Sequence, residues 1–311
     1  MDWLNGAVEL GLLYAFMALG VYITFRILDF PDLTVDGSFT TGGAIAAVLI
    51  TNGVHPLLAT LAAGAGGMLA GACTGLLHTK GRINGLLSGI LMMIALYSIN
   101  LRIMGKPNVS MMGENIVFAS IDPLIIMPFV VIIIKVLLDL FLRTDLGLAL
   151  RATGDNAKMI RSFGVNTDNT IILGISLSNG LVALSGALVS QVSGFADASA
   201  GIGMIVIGLA SVIIGEAIFG AKSVFRATLA VVLGSIVYRI VVALALRVNL
   251  DASDLKLITA IIVIIALVFP SIQRVFKEKS TARKRTAELV AANAKTDAVA
   301  SKRGGGVNAG A

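Results

Sequence analysis

Eight times between Leu10 and Phe269 the chain runs for 13 to 22 residues with scarcely a charged side chain. The runs are Leu10 to Leu28, Leu57 to Leu77, Leu86 to Ile103, Pro123 to Leu142, Ile171 to Val192, Met204 to Phe219, Thr228 to Leu246 and Leu257 to Phe269. About 20 such residues, each rising about 1.5 Å, cross the roughly 30 Å hydrocarbon core of a bilayer. Composition closes the soluble alternative. Hydrophobic residues make up 57% of the 311 and charged residues only 14%, against about 45–50% and about 25% in ordinary soluble domains. The 24 basic and 18 acidic side chains are too few to cover a soluble surface, so a secreted scaffold, a nucleic-acid reader and most soluble enzymes are excluded. The single cysteine, Cys73, pairs with nothing internally, and His55 and His78 lack the spacing of metal ligands.

A ninth run, Phe39 to Ile50, is short and opens on Thr40, Thr41, Gly42 and Gly43 after the polar stretch Asp29 to Ser38. Such a segment fits a broken or re-entrant helix, because irregular backbone survives at membrane depth only where protein or a water-filled cavity satisfies it. The expected fold is therefore an all-α polytopic bundle of eight or nine spans, with one short or broken span near residues 38–50.

With nine spans and an external N-terminus, eighteen of the 24 basic residues fall on the cytoplasmic side, nine of them in the tail. The opposite orientation exports most of them. The first span is read as retained, since no basic leader or small-residue cleavage pattern accompanies it. Residues 1–272 are expected to form a transmembrane domain with a polar cytoplasmic loop at 143–169, and residues 273–311 a basic, partly disordered cytoplasmic tail able to touch anionic lipid. Nucleic acid is not an expected partner. Gly67, Gly71 and Gly75, and again Gly81, Gly85 and Gly89, recur every four residues, which predicts two faces of close helix packing.

The loop Arg143 to Asn169 is too polar to span. Leu146, Leu148, Leu150, Met159, Ile160 and Phe163 nevertheless give it the apolar spacing of one or two amphipathic helices, the second starting at Asp155 or Asn156 and stopping at Gly164. On these residues alone the helix lies either on lipid or against a protein partner.

The run GLALRATGDNAKMIRSFGVN, Gly147 to Asn166, resembles the cytoplasmic loop of ABC importer permeases of the branched-chain amino acid type. The resemblance extends through Asp36-Gly37-Ser38 with Gly42-Gly43-Ala44, Ser185-Gly186-Ala187-Leu188 and GLASVIIGEAIFG at Gly208 to Gly220, and covers most of residues 6–272. It implies a coupling helix that docks on a cytoplasmic ATP-binding subunit, with Gly147, Arg151, Ala152, Gly154, Asp155, Asn156, Arg161 and Gly164 as the coupling residues. It also implies an extracytoplasmic substrate-binding protein, a second permease copy (the same chain or a homologue), and ATP hydrolysed by the partner, with no cofactor on this chain. Gly215-Glu216 stands where common branched-chain members carry paired glycines. With PDLTVDGS, this departure resembles a branch associated with tryptophan, tyrosine and related substrates.

Ionisable groups within spans are costly and are functional candidates by default. Glu216 lies near the cytoplasmic end of its span, where it is expected to pair with Lys222 or Arg226 or to serve as a gate or subunit contact on the translocation path. Arg239 is mid-span and calls for a carboxylate or carbonyl partner, or a substrate carboxylate. Lys135 and Asp139, four residues apart, are expected to neutralise each other. Polar groups form a candidate translocation path for a zwitterion: Asp36, Ser38 and Thr40 with Thr34, then Asn84 and Ser88, then Ser185 and Gln191 with Ser176, Ser178 and Asn179. Each has interhelical hydrogen bonding as its alternative role. GEAIFGAKS, Gly215 to Ser223, misses the phosphate-loop pattern because Ala221 separates Gly220 from Lys222. No nucleophile, paired carboxylate or metal cluster marks an enzyme. The competing class is an ion-coupled secondary transporter using Glu216, Arg239 or Asp36.

Overall fold

The computed structural model describes residues 2–117 and 122–247, with single positions between 257 and 268. The chain divides into two units, Met1–Val263 and Ile264–Ala311, and the fold described is that of the first. The expected span Leu257 to Phe269 and the basic tail lie almost wholly outside the described residues.

The local start and stop signals are read directly from side chains. Helix α1, Asp2–Val21, runs on through a π-helical turn at Tyr22–Ile27. After α2, Thr34–Thr51, the His55 ring and Pro56 open α3, Pro56–Thr79. Asn84 caps α4, Gly85–Met104, and Asp122 with Pro123 opens α5, Pro123–Arg143. In each of these caps a side-chain acceptor takes one of the amides that a helix start leaves unpaired. Thr144 caps α6, Asp145–Ser162, and Asn166 caps α7, Thr167–Ser193. Helices α8, Met204–Phe219, and α9, Val224–Leu246, complete the order. A short antiparallel ladder joins β1, Asn108–Ser110, to β2, Phe195–Asp197. At its edge the Ser199 hydroxyl and amide hold the Asp197 carboxyl below its ordinary range.

Six helices are long and apolar enough to cross a membrane by length and composition: Trp3–Ile27 and α3, α4, α5, α7 and α9. Helix α8 is apolar but shorter, and α2 has 18 residues with a polar first turn. The protein is a polytopic all-α membrane bundle. Helix α7 is its hub, packed against α1, α2, α3 and α6, while α8 and α9 pair with each other and against α1.

Close approach is written into glycine and serine. A side chain at Gly71 would meet the Ile175 carbonyl at 2.5 Å, one at Gly75 would meet the Ile172 backbone at 2.8 Å, and one at Gly67 would clash with Asn179 and Ala183. The first glycine triplet therefore forms one face against α7, as its spacing predicts. The second does not survive as a unit. Gly81 lies in the turn before α4, while Gly85 and Gly89 accept Phe30 and Leu33 from the segment preceding α2. Serine hydroxyls then tie helices together, Ser178 to the Gly20 carbonyl at 2.7 Å and Ser235 to the Gly11 carbonyl at 2.9 Å; such bonds contribute about 1 kcal/mol each within a membrane.

Candidate functional site

Two regions carry polar chemistry that the packing does not require. The first is the break between α1 and α2. Polar residues from Asp29 to Ser38 predict irregular chain up to Phe39, yet only residues 28–33 are non-helical and α2 starts at Thr34. The reason is Asp32, which is 1% exposed. Its Oδ1 accepts the Thr34 amide at 2.9 Å, and its Oδ2 accepts from Asn179 Nδ2 at 2.6 Å. The Thr34 and Thr74 hydroxyls bond at 2.8 Å beside it. Asn179 is midway along α7, so α2 begins inside the bundle rather than at its end.

Helix α8 begins inside the bundle too. From the β-ladder the chain dips through residues 198–203, and the Gly201 amide donates to Thr40 Oγ1 at 3.0 Å. The two oxygens of Asp36, in the first turn of α2, accept the amides of Gly203 and Ile205 at 2.8 Å each. A residue 167 positions away in sequence thus caps α8, where local sequence offers only Gly203, at φ +88°. The first turns of α2 and α8 thus meet within the bundle, each helix start capped by a carboxylate, Asp32 for α2 and Asp36 for α8. Beside the meeting point lies a cavity of about 360 Å³.

The remaining path candidates separate by what they touch. Ser38 is fully buried, and its hydroxyl has no hydrogen-bond partner among the described residues. Asn84 is exposed and caps α4, and the Ser88 hydroxyl donates to the Asn84 carbonyl at 3.0 Å. Ser185 donates to the Leu13 carbonyl at 2.8 Å, and Gln191 bridges Thr60 at 2.8 Å and the Val117 amide at 3.1 Å. Ser176 donates to the Met68 carbonyl at 2.7 Å. These last three are interhelical bonds. Glu216 pairs with Arg26 of the π-helical turn at 3.1 Å, 190 residues away, instead of with Lys222 or Arg226. Arg239 finds no carboxylate among the described residues; its guanidinium lies 3.7 Å from the Tyr14 ring centre. Lys135 and Asp139 form the expected buried pair, joined by the Thr228 hydroxyl at 2.7 Å. Gly215 to Phe219 is helical, whereas a phosphate-binding loop is entered from a strand.

The second region is α6. Its helical path breaks at Asn156, whose Oδ1 accepts the Met159 amide at 3.0 Å and restarts the helix, and Gly164 ends it at φ +85°. Gly147, Leu150 and Thr153 form the buried face. Gly147 abuts Phe141 and Leu142 at the end of α5, and Gly154 presses on the Ile27 carbonyl. Thr153 bonds Thr170 of α7 at 3.0 Å, and Arg161 bonds Asp168 at 3.0 Å. Arg151 and Ala152 are half-buried, while Asp155 is exposed. The outer face carries Leu146, Leu148, Met159 and Phe163, each at least half exposed and Phe163 74% so. The helix is thus anchored to α5, the π-helical turn and α7, and its free face sets these apolar side chains among exposed Asp145, Asp155, Lys158 and Arg161.

The family model for the permease component of branched-chain amino acid transport systems matches residues 4–268. The chain belongs to this permease family. A tyrosine transport system permease protein of Clostridioides difficile is 49% identical over 265 residues, covering 85% of this chain and 90% of the relative. An uncharacterised protein of Rickettsia prowazekii is 37% identical over 279 residues, covering 86% and 97%. A probable branched-chain amino acid transport permease of Methanocaldococcus jannaschii is 27% identical, covering 68% and 73%. No solved structure matches. The chain is thus the transmembrane permease subunit of an ABC-type importer, a class in which a partner subunit uses the ATP. Sequence reasoning missed Asp32, Thr74 and Asn100 in this permease. Asp32 sits in a loop-like PDL run and Asn100 in an apolar one, and the partners that bury them, Asn179 and Gly37, lie 147 and 63 residues away.

Proposed function

We propose that this permease imports an amino acid with an aromatic or large apolar side chain, working with a cytoplasmic ATP-binding subunit, an extracytoplasmic binding protein and a second permease copy. The observation that carries the partner assignment is α6, whose exposed Leu146, Leu148, Met159 and Phe163 a docked protein would bury. Closure of the ATP-binding partner would move α6 as a body. Gly154 against Ile27 and Thr153 against Thr170 would pass that shift to the π-helical end of α1 and to α7, and so to the break where α2 and α8 begin. The ATP-driven change requires different α6 contacts in the two states. The 49% identity to a tyrosine transport permease supports the substrate class. The distribution of basic residues supports a cytoplasmic α6 and C-terminus, with residues 1–272 as the permease body and 273–311 as a cytoplasmic tail.

Copurification tests the docking. Replacing Leu148 and Phe163 together by Asp is expected to lower recovery of the ATP-binding subunit with the permease at least about tenfold, with the permease itself still folded in detergent. Recovery at the wild-type level would overturn α6 as the docking element.

A further inference from the structure

The cavity beside Asp36 has a chemistry of its own. Asn100 of α4 lines it and is fully buried. The Asn100 amide is oriented by its Nδ2, which donates to the Gly37 carbonyl at 3.3 Å; the reverse orientation would set two oxygens against each other. Its Oδ1 is left accepting no hydrogen bond from any described residue. A buried acceptor without a donor costs about 1–3 kcal/mol, so a ligand with N–H groups has a ready place. Asp36 supplies a carboxylate at the same cavity, its oxygens facing the amides of Gly203, Met204 and Ile205, with acceptor capacity left from about four lone-pair sites. Thr40, also on the wall, donates its hydroxyl to the Asp36 carbonyl at 3.3 Å, so it offers no free donor. The remaining walls are apolar or aromatic: Met93, Ile94, Tyr97 and Ile202.

We infer that this cavity is a binding site for the ammonium group of the transported solute, with Asp36 and Asn100 Oδ1 receiving the N–H donors and Met93, Ile94, Tyr97 and Ile202 receiving the side chain. The volume of about 360 Å³ lies in the range of small-molecule sites, about 300–1,000 Å³. The negative charge of Asp36 selects a cation over a carboxylate and offsets the cost of bringing that cation into the bundle. The inference deepens the amino-acid reading, because it names the group by which the permease itself recognises the substrate after the binding protein lets go.

Equilibrium binding to the purified full-length permease in lipid nanodiscs, with no ATP-binding subunit present, separates this site from the transport reading. Radiolabelled tyramine is the probe, and tyrosine and 3-(4-hydroxyphenyl)propionate are competitors. Tyramine is expected to bind saturably, tyrosine to compete, and the propionate, which lacks the amine, to compete at least about tenfold more weakly than tyrosine. Asn100→Leu is expected to weaken tyramine about tenfold. Met93→Trp, which fills the cavity from its half-exposed wall without touching the polar groups, keeps the test open should Asn100→Leu not fold, and is expected to abolish binding. Absence of saturable tyramine binding, equal competition by the propionate, or wild-type binding in the folded variants would overturn the site. ATP-driven uptake by the complete complex would be untouched by that failure.

Discussion

Lys135 and Asp139 lie one turn apart on α5, 4% and 5% exposed, with the Lys135 ammonium 3.1 Å from the Phe225 ring centre and the Thr228 hydroxyl donating to Asp139. Removing one member strands a buried charge, whereas removing both leaves an apolar contact. Such single losses cost about 3–5 kcal/mol, and double replacements are often nearly neutral. Lys135→Met alone is accordingly expected to lower the melting temperature in detergent far more than Lys135→Met with Asp139→Leu. Equal losses would mean that the pair does not hold its charges in common. Arg26 with Glu216 is a different case, since the Arg26 side chain is 59% exposed and the Glu216 side chain 17%. That pair ties the π-helical turn to the end of α8 with little stabilisation of its own.

Among the elements, α3 shows how sequence spacing becomes a surface. Gly67, Gly71 and Gly75 bring its backbone against α7 with no room for a β-carbon. Gly71→Leu is expected to destabilise the bundle by at least about 1–3 kcal/mol, while Ala62→Leu on the exposed side of the same helix is expected to leave melting unchanged. A Gly71 variant that melts like wild type would refute the packing. This face was legible because helical period four is local. So were the break at Asn156 and the stop at Gly164, where a side-chain cap and a left-handed glycine act within a few residues of themselves. The start of α2 was misplaced by five residues, because the polarity of Asp32, Thr34 and Asp36 reads as loop until Asn179, Thr74 and α8 supply their partners. The pairing of Glu216 with Arg26 was hidden for the same reason: nothing in local periodicity reports a contact 190 residues away. The candidate site was therefore half visible, its Asp36 and Thr40 standing out as polar residues and its Asn100 lost in an apolar span.

At the scale of the bundle, α6, the break before α2 and the start of α8 are joined by one sequence of contacts. From α6 the line of packing runs through Ile27 and Thr170 into α1 and α7, from α7 through Asn179 to Asp32, and from α2 through Asp36 to the first turn of α8. Asp32, Asp139 and Glu216, three acidic groups that an ion-coupled carrier could use, are each bonded to another side chain. An energy source outside the chain fits that arrangement and fits the permease family to which the chain belongs. The most direct test is uptake of radiolabelled tyrosine into proteoliposomes that hold the permease, its ATP-binding subunit and the external binding protein, with proton and sodium gradients dissipated. The account predicts accumulation that requires both ATP and the ATP-binding subunit. Accumulation by the permease alone, driven by an imposed ion gradient and indifferent to ATP, would contradict it.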